Sequence, residues 1–431
     1  MAGKHSADDD FNPYRHQSNR QNEESIKRNS TTRNSKENYV AESYNKTGSN
    51  RGVNSNSKVS NGNTNRTIKG KTGEVEDVER RKRVSKGNTK KKHKGLKIFA
   101  IFLLVIAIIV LLVAGGAFYF INDKIGKMQK VDINEGNLGI STNENLEGYR
   151  NIAIFGVDSR SNNLDVGNRS DCIIIANINN KTKEVKLISV YRDTYVQISE
   201  NGSNKLDKIT HAYAYGGPEL AIQTLNTNLD LNIKEFVTVN FDSVAEAVDQ
   251  LGGITMTLTS EEVDYANDYI RETARVTGKS ATYISSSGKQ TLNGVQAVAY
   301  SIIRYTSGGD YKRTERMRDV IEAMLKKLQT KSIAEINSML DSLLPKIYTN
   351  IDTGSIISEI PSIAKYKIAD SIGWPYKTRG KTMTLWYGIP ITLESNVVQL
   401  HKELFGEENY EASDKVKSIS TQIVNKTGYT N

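Results

Sequence analysis

The stretch RNIAIFGVDSR, residues 150–160, decides the fold of this chain. Residues 150–157 are a short apolar run, and Gly156-Val157-Asp158-Ser159-Arg160 ends it in a charged turn. That is the pattern of a strand that delivers polar side chains to a loop. Downstream, the polar loop SNNLDVGNRSD leads to a second buried-type strand, CIIIANI at residues 172–178, and then to EVKLISV at 184–190. Asn179-Asn180 between them reads as a hairpin turn, because Asn tolerates positive φ. The segment YRDT and the run YVQI follow at residues 191–198, before a polar loop around Asn201-Gly202.

Further along, the periodicity becomes helical. Residues 218–229 place Leu220, Ala221, Leu225 and Leu229 at helical spacing, with Pro218 in the first turn, where it is tolerated. Strands are expected at 236–240 and 254–258, with a helix at 243–251 stopped by Gly252-Gly253. Residues 260–290 read as polar and irregular with some helix. A helix over 293–304 ends in an Arg, a Gly loop spans 305–310, and a long amphipathic helix runs from Lys312 to about Gln329. Helices at 333–345, 355–363 and 395–405 and a strand at 383–387 complete the expectation. Strands alternating with helices indicate an α/β fold, a mixed central β-sheet layered by helices on both faces (αβα).

Upstream lies IFAIFLLVIAIIVLLVAGGAFYFI, residues 98–121, without a charge, Asn, Gln or Pro. About 20 helical residues cross the hydrocarbon core of a bilayer, and in lipid the backbone must satisfy its own hydrogen bonds, so this run predicts one transmembrane helix. A buried core helix of this length would keep a polar face. Before it stand Arg80, Arg81, Lys82, Arg83, Lys86, Lys90, Lys91, Lys92, Lys94 and Lys97 without an acid among them. Lys and Arg stay cytoplasmic, so the N-terminus is expected inside and everything after about residue 122 outside. The run starts far from Met1 and is longer than a signal core, which argues for a signal-anchor over a cleaved signal peptide.

The chain of 431 residues therefore divides into an arm (1–97), the span (98–121), a polar connector (122–148) and an outer domain (149–431). The arm is rich in Asn, Ser, Lys, Arg and Gly and is expected to be disordered, because it cannot bury enough apolar surface to offset the entropy of ordering. The outer part, about 280 residues, is long enough for one large core. The net charge of +9 draws heavily on the basic flank of the span. That flank suits topology and anionic membrane lipid. It lacks interleaved aromatics and a reader motif, so no specific nucleic acid is expected. Cys172 stands alone, which excludes an internal disulfide, and is expected to be a buried strand residue. No Cys/His cluster suits zinc. Gly70-Lys71-Thr72 lacks the upstream Gly of a phosphate loop, Asn65 standing in its place.

Charged residues collect at strand ends and loops of the outer domain. Asp158 and Arg160 follow the first strand, Arg169 and Asp171 precede the second, and Arg192 and Asp193 follow the third. Arg304, Asp310, Arg313 and Arg316 surround the Gly loop. Strand ends are where ligands sit in open α/β sheets. Arg forks grip phosphate oxygens, and paired carboxylates hold Mg²⁺, which bridges phosphates. The pattern implies an anionic di- or polyphosphate. The competing reading is exposed ion pairs, worth about 0–1 kcal/mol each.

Five stretches together resemble the LytR-CpsA-Psr family of cell-envelope glycopolymer transferases. They are NIAIFGVDSR ending at Arg160, NRSDCIIIANIN at 168–179, ISVYRDTYVQI at 188–198, KLDKITHAYAYGGPE at 205–219 and AVAYSIIRYTSGGDYKRTERMRDVI at 297–321. The core motifs fall within 150–330, and the likeness weakens beyond. The resemblance implies a phosphotransferase for cell wall assembly. It would move a glycopolymer from a polyprenyl-pyrophosphate carrier onto peptidoglycan, forming a phosphodiester to a muramic acid hydroxyl. Carried over residue by residue, it implies Asp158 and Asp171 as Mg²⁺ ligands and Arg169, Arg192, Arg304 and Arg313 as pyrophosphate-binding residues. Arg192 and Asp310 would be catalytic, Asp310 orienting an arginine or assisting deprotonation of the acceptor, and Asp193 would brace the loop. Teichoic acid, capsular polysaccharide and rhamnose-rich polymer all remain open as cargo. The chain departs from the family pattern at Tyr191, where Pro is usual, at Ile302, where the first Arg of Arg-x-Arg is usual, and at Met317, where Gln is usual. Ile302 and Met317 are each expected to remove a polar contact to the head group. They suggest, as alternatives, a non-catalytic envelope protein that binds lipid-linked precursors; a membrane-bound transcriptional attenuator is suggested by the basic arm. An apolar groove for the polyprenyl tail is expected from Ile222, Leu225, Phe236, Val237, Val244 and Val248, residues that equally suit an ordinary core.

Overall fold

The computed structural model describes residue 127, residues 129–159 and residues 163–430, all within the unit 88–431. The expected disordered arm, the expected membrane helix and Arg160 lie outside the described residues. Among the described residues, no helix is long and apolar enough to cross a membrane.

In chain order the elements begin with β1 (Gln129–Lys130), β2 (Tyr149–Val157), β3 (Ser170–Asn179), β4 (Glu184–Val190), β5 (Tyr195–Glu200) and β6 (Ser203–Lys208). Then come α1 (Thr210–Leu229), β7 (Glu235–Val239), α2 (Phe241–Gln250), β8 (Ile254–Leu258), α3 (Ser260–Thr277), β9 (Gly288–Leu292), α4 (Gly294–Ser301) and α5 (Gly309–Leu328). The chain continues with α6 (Ile333–Leu343), β10 (Tyr348–Thr349), α7 (Thr353–Glu359), β11 (Lys367–Trp374), β12 (Thr378–Thr382), β13 (Trp386–Pro390), α8 (Leu393–Phe405) and α9 (Asp414–Thr427).

Seven strands form the central sheet in the order β1-β10-β7-β2-β3-β4-β11. β2 pairs antiparallel with β3 and parallel with β7, while β4 pairs antiparallel with β3 and parallel with β11. The sheet is mixed, as expected. These registers bring the C-terminal ends of β2, β4, β7 and β11 and the N-terminal end of β3 to one end, here the upper end.

The continuous apolar run of β3 has a plain cause: both faces of the sheet are covered. Ile173 and Ile175 join the large core with Phe155, Tyr213, Leu225 and Phe236, to which α8 and α9 add Leu400 and Ile419. Ile174 and Ala176 face the other way, against Met317 and Ile321 of α5. A separate core lies in the insertion after β7, built from Val248, Ile254, Ile270, Leu292 and Val295. Gly294 permits its closest approach, since a Cβ there would come within 2.0 Å of the Ala245 carbonyl oxygen.

Several expectations change. Residues 260–277 are one capped helix, whose Thr259 and Glu262 form a reciprocal capping box; the charged face hid its apolar stripe. The first long helix starts at Thr210, eight residues before Pro218, because Gly216 and Gly217 kink it and let it resume at the proline. Asn179 does not take the left-handed conformation. Its side-chain oxygen accepts from the N–H groups of Lys181 and Thr182, and Lys183 takes the positive φ of 60°. Of the strand expected at 383–387, Trp386 and Tyr387 belong to β13, and residues 383–385 form the turn of its hairpin with β12. β11 and α9 had no forecast: β11 alternates weakly, with most of its side chains exposed or half-buried. The part after residue 330 continues the same fold, since β10 and β11 belong to the same sheet. Of the expected groove residues, Ile222, Leu225 and Phe236 are in the large core and Val248 is in the insertion core, so these four do not line one groove.

Candidate active site

The upper end of the sheet gathers the charged residues. Asp171 enters at the second position of β3, beside a bulge that pairs Gly156 with Cys172 and Val157 with Ser170. Arg192 follows β4 in a turn fixed on three sides. The N–H of Tyr191 donates to the Trp374 carbonyl (3.0 Å), the N–H of Thr210 to the Arg192 carbonyl (3.1 Å), and the N–H of Gly388 to the Asp193 carbonyl (2.9 Å). With its backbone fixed, the Arg192 Nη1 donates to the Asp171 Oδ1 at 2.6 Å. Arg304 comes from the loop after α4, its Nη2 3.7 Å from the Asp171 Oδ2.

Asp310 and Arg313 lie in the first turns of α5, whose start requires Gly308 (φ 96°) and Gly309 (φ 51°) in the left-handed region. A Cβ at Gly308 would also press to within 2.7 Å of the Lys312 side chain. Arg313 is 1% exposed and sits 2.6 Å from Asp310 through Nη2. That ion pair is close but not aligned as a hydrogen bond. The Nε and Nη2 of Arg313 and the Nε of Arg192 are buried without a hydrogen-bond partner among the described residues. Unpaired buried donors of this kind are rare in folded proteins.

Three guanidinium groups, Arg192, Arg304 and Arg313, therefore face two carboxylates, Asp171 and Asp310. Burial alone would push the Asp171 carboxyl up, but Arg192, Arg313 and Arg304 outweigh it and hold it below the usual carboxylate range. Burial depresses Arg313, and repulsion from Arg304 and Arg192 adds to this against the pull of Asp310 and Asp171. Asp193 is turned to Lys208, 2.6 Å away, and lies 3.6 Å from the Arg192 Nε.

Asp158 and Arg169 are placed differently. Both are exposed, at the adjoining ends of β2 and β3, and among the described residues Arg169 forms no ion pair. Arg316 points away from the cluster. It donates to Glu262 (3.0 Å), the Ile303 carbonyl (3.2 Å) and Thr306 (2.7 Å), and so ties the Gly loop to α3. Ile302 packs, partly buried, against the insertion core and Met317 against the sheet face, so neither side chain offers a polar contact to the cluster. Tyr191 lies with its hydroxyl over Gly373, where a Cβ would come to 2.0 Å, and its ring meets Tyr311 edge-on at 4.5 Å.

Among the described residues, no group of three or more His, Cys, Asp or Glu is placed to hold a metal ion. Two carboxylates suit Mg²⁺ held jointly with substrate phosphates, and do not suit an all-protein cage.

Sequence reasoning missed a second cluster beside the site. Asp207 accepts from the Tyr215 hydroxyl (2.8 Å) and the Lys208 N–H (2.8 Å), and its Oδ1 lies 3.0 Å from the His211 Nδ1. Burial would raise Asp207, but His211, Tyr215 and the Lys208 N–H bring it down to about 2. The i, i+4 and i, i+8 spacing of 207, 211 and 215 was a readable signal, hidden because Asp207 still belongs to β6.

A model of the LytR_cpsA_psr family matches residues 117–384. The polyisoprenyl-teichoic acid--peptidoglycan teichoic acid transferase TagU of Enterococcus faecalis is 32% identical over 60% of this chain and 80% of its own length. The TagU of Bacillus licheniformis is 35% identical over 46% of this chain and 59% of its own length. Among solved structures, protein gbs0355 of Streptococcus agalactiae superposes with a TM-score of 0.50 at 24% identity, over 64% of this chain and 93% of that one, and shares the fold. The family match over more than half of the residues, with the motif residues assembled at one end of an αβα sheet, places this chain in the LytR_cpsA_psr family.

Proposed function

We propose that this protein is a phosphotransferase that moves a glycopolymer from a polyprenyl-pyrophosphate carrier to peptidoglycan. The observation that carries the reading is the buried arginine cluster, with Arg192 and Arg313 holding N–H groups that no described residue bonds. A pyrophosphate would satisfy those donors and the excess positive charge together. The relatives' transferase names support the same reaction class.

In this reaction the acceptor hydroxyl oxygen attacks the sugar-linked phosphorus. The bond from that phosphorus to the bridging oxygen breaks, and polyprenyl phosphate leaves with the electron pair. Phosphoryl transfer is mostly positioning and neutralisation of charge. Arg192, Arg304 and Arg313 grip the pyrophosphate, with Arg169 at the rim. Asp171 fixes Arg192 in place. Asp310 orients Arg313, and with a third of its side chain exposed it is placed to receive the hydroxyl proton. Asp158 and Asp171 would hold Mg²⁺ together with the phosphates, and that ion would neutralise charge on the leaving group. The chain would sit in the cell membrane as a single-pass protein, N-terminus inside and domain outside.

The test uses the full chain with a polyprenyl-pyrophosphoryl oligosaccharide, a peptidoglycan oligomer and Mg²⁺. Mass spectrometry should find the phosphodiester-linked product, absent with Arg192→Ala. Tight Arg192-dependent lipid binding without product would instead establish the binding-only reading.

A further inference from the structure

Eight large hydrophobic side chains are markedly exposed among the described residues. Six belong to segments at the upper end: Val166 in the β2–β3 loop, Tyr215 early in α1, Tyr305 and Tyr311 at the Gly loop, and Leu385 and Trp386 on the β12–β13 hairpin. The other two, Tyr283 and Ile333, lie on the insertion and at the start of α6.

The hairpin presents two of these side by side, with Leu385 44% and Trp386 49% open. It leaves the upper end of β11 at Trp374 and is tied back by Gly388 beside Thr194. The indole lies flat on a glycine, since a Cβ at Gly380 would come within 2.9 Å of its Nε1. That contact holds the ring on the hairpin, and Trp386 stays 49% open. The surrounding sequence is cationic: Lys377, Arg379 and Lys381 are present, and no Asp or Glu occurs between Asp370 and Glu394. Lys377 and Arg379 are exposed and form no ion pair among the described residues. Arg379 and Lys381 both stand over the Tyr429 ring.

With residues 98–121 read as a membrane span, the place where the chain enters turns this surface toward the lipid. β1 runs beside β10, whose Tyr348 pairs with Thr238, which in turn pairs with Phe155 near the upper end of β2. Lys127, just before β1, bonds Asp341 near the end of α6. The run read as a membrane span ends at residue 121. Roughly six residues reach about 20 Å at most. The β1 edge of the upper end is thus held within that distance of the lipid, and the hairpin lies at the β11 side of the same end.

We propose that the upper end of the domain rests on the bilayer, with the β12–β13 hairpin as its contact. Leu385 and Trp386 enter the interfacial layer, where Trp is favoured, and Lys377 and Arg379 meet anionic headgroups. Docked in this way, the arginine cluster faces the membrane surface. The contact stands or falls separately from the transfer reaction.

The chain has two tryptophans, and Trp374 is fully buried with its Nε1 bonded to the Asn396 carbonyl. Trp386 is therefore a built-in reporter. The experiment reconstitutes the full chain in phosphatidylcholine/phosphatidylglycerol vesicles with and without brominated acyl chains. Bromolipid should quench about half of the wild-type emission and little of that of Trp386→Phe. Lys377→Glu with Arg379→Glu should reduce the quenching about two-fold or more, at unchanged circular dichroism. Quenching of the wild type no greater than that of Trp386→Phe would overturn the proposal. So would equal quenching of the charge-reversed and wild-type proteins, or emission that responds to soluble peptidoglycan fragments and not to bromolipid.

Discussion

Two buried arginines three residues apart on α5 should respond to the same substitution with opposite signs. Arg313→Met removes a guanidinium that is 1% exposed and has two donor atoms, Nε and Nη2, without an aligned hydrogen bond among the described residues. Each such donor costs about 1–3 kcal/mol. What is lost is the pull of Asp310, a carboxylate 34% exposed, and of Asp171, against which stands relief of the repulsion from Arg304 and Arg192. Allowing for imperfect filling by Met, the unliganded protein gains about 1–3 kcal/mol. For a domain of this size that raises Tm by about 2–5 °C. Arg316→Met instead strands Glu262, the Ile303 carbonyl and Thr306. Breaking a satisfied buried network costs about 3–5 kcal/mol and lowers Tm by about 5–8 °C. The assay is thermal unfolding of the full chain by circular dichroism, with and without inorganic pyrophosphate. Pyrophosphate should protect the wild type, and Arg313→Met should weaken its affinity about ten- to a hundred-fold, the loss of one charge-assisted contact. Arg313→Met unfolding several degrees below wild type with pyrophosphate protection intact would refute the reasoning, and Arg313 would then be a structural prop.

Further outcomes follow from other parts of the site. Asp207 has a folded value of about 2, below that of an unfolded Asp, so its stabilisation is full above about pH 4 and is lost as pH falls toward 2. Asp207→Asn should cost about 1–2 kcal/mol at neutral pH and flatten the acid limb of a stability–pH profile. Met317→Gln places an amide against Ile174 and Leu187; it should cost about 1–2 kcal/mol in denaturant unfolding and change pyrophosphate affinity less than about two-fold. Under the proposed metal role, Mg²⁺ should bind weakly alone and more tightly with pyrophosphate in calorimetry, and Asp171→Asn should abolish that difference.

The αβα fold was legible in the stretches 150–157, 172–178 and 184–190 because buried strands carry a continuous apolar signal that tertiary packing reinforces. Elements with weak local signals were not legible. β11 is largely exposed or half-buried, α3 carries a charged face, and the β12–β13 hairpin owes its form to pairing at residues where the sequence reads as one strand.

The sequence by itself determined which charges stand at strand ends, since a residue's position at the end of an apolar run is a local property. It also supplied the apolar run of residues 98–121 and the family motifs. Only the tertiary structure separated Arg313, buried and underbonded, from Arg316, buried and fully bonded, because what bonds Arg316 comes from the Gly loop and from Glu262, 54 residues away. Likewise it showed what Ile302 and Met317 pack against, the insertion core and the sheet face. Burial and partner count depend on what lies across the fold from a side chain, and a one-dimensional pattern carries that information only for neighbours along the chain.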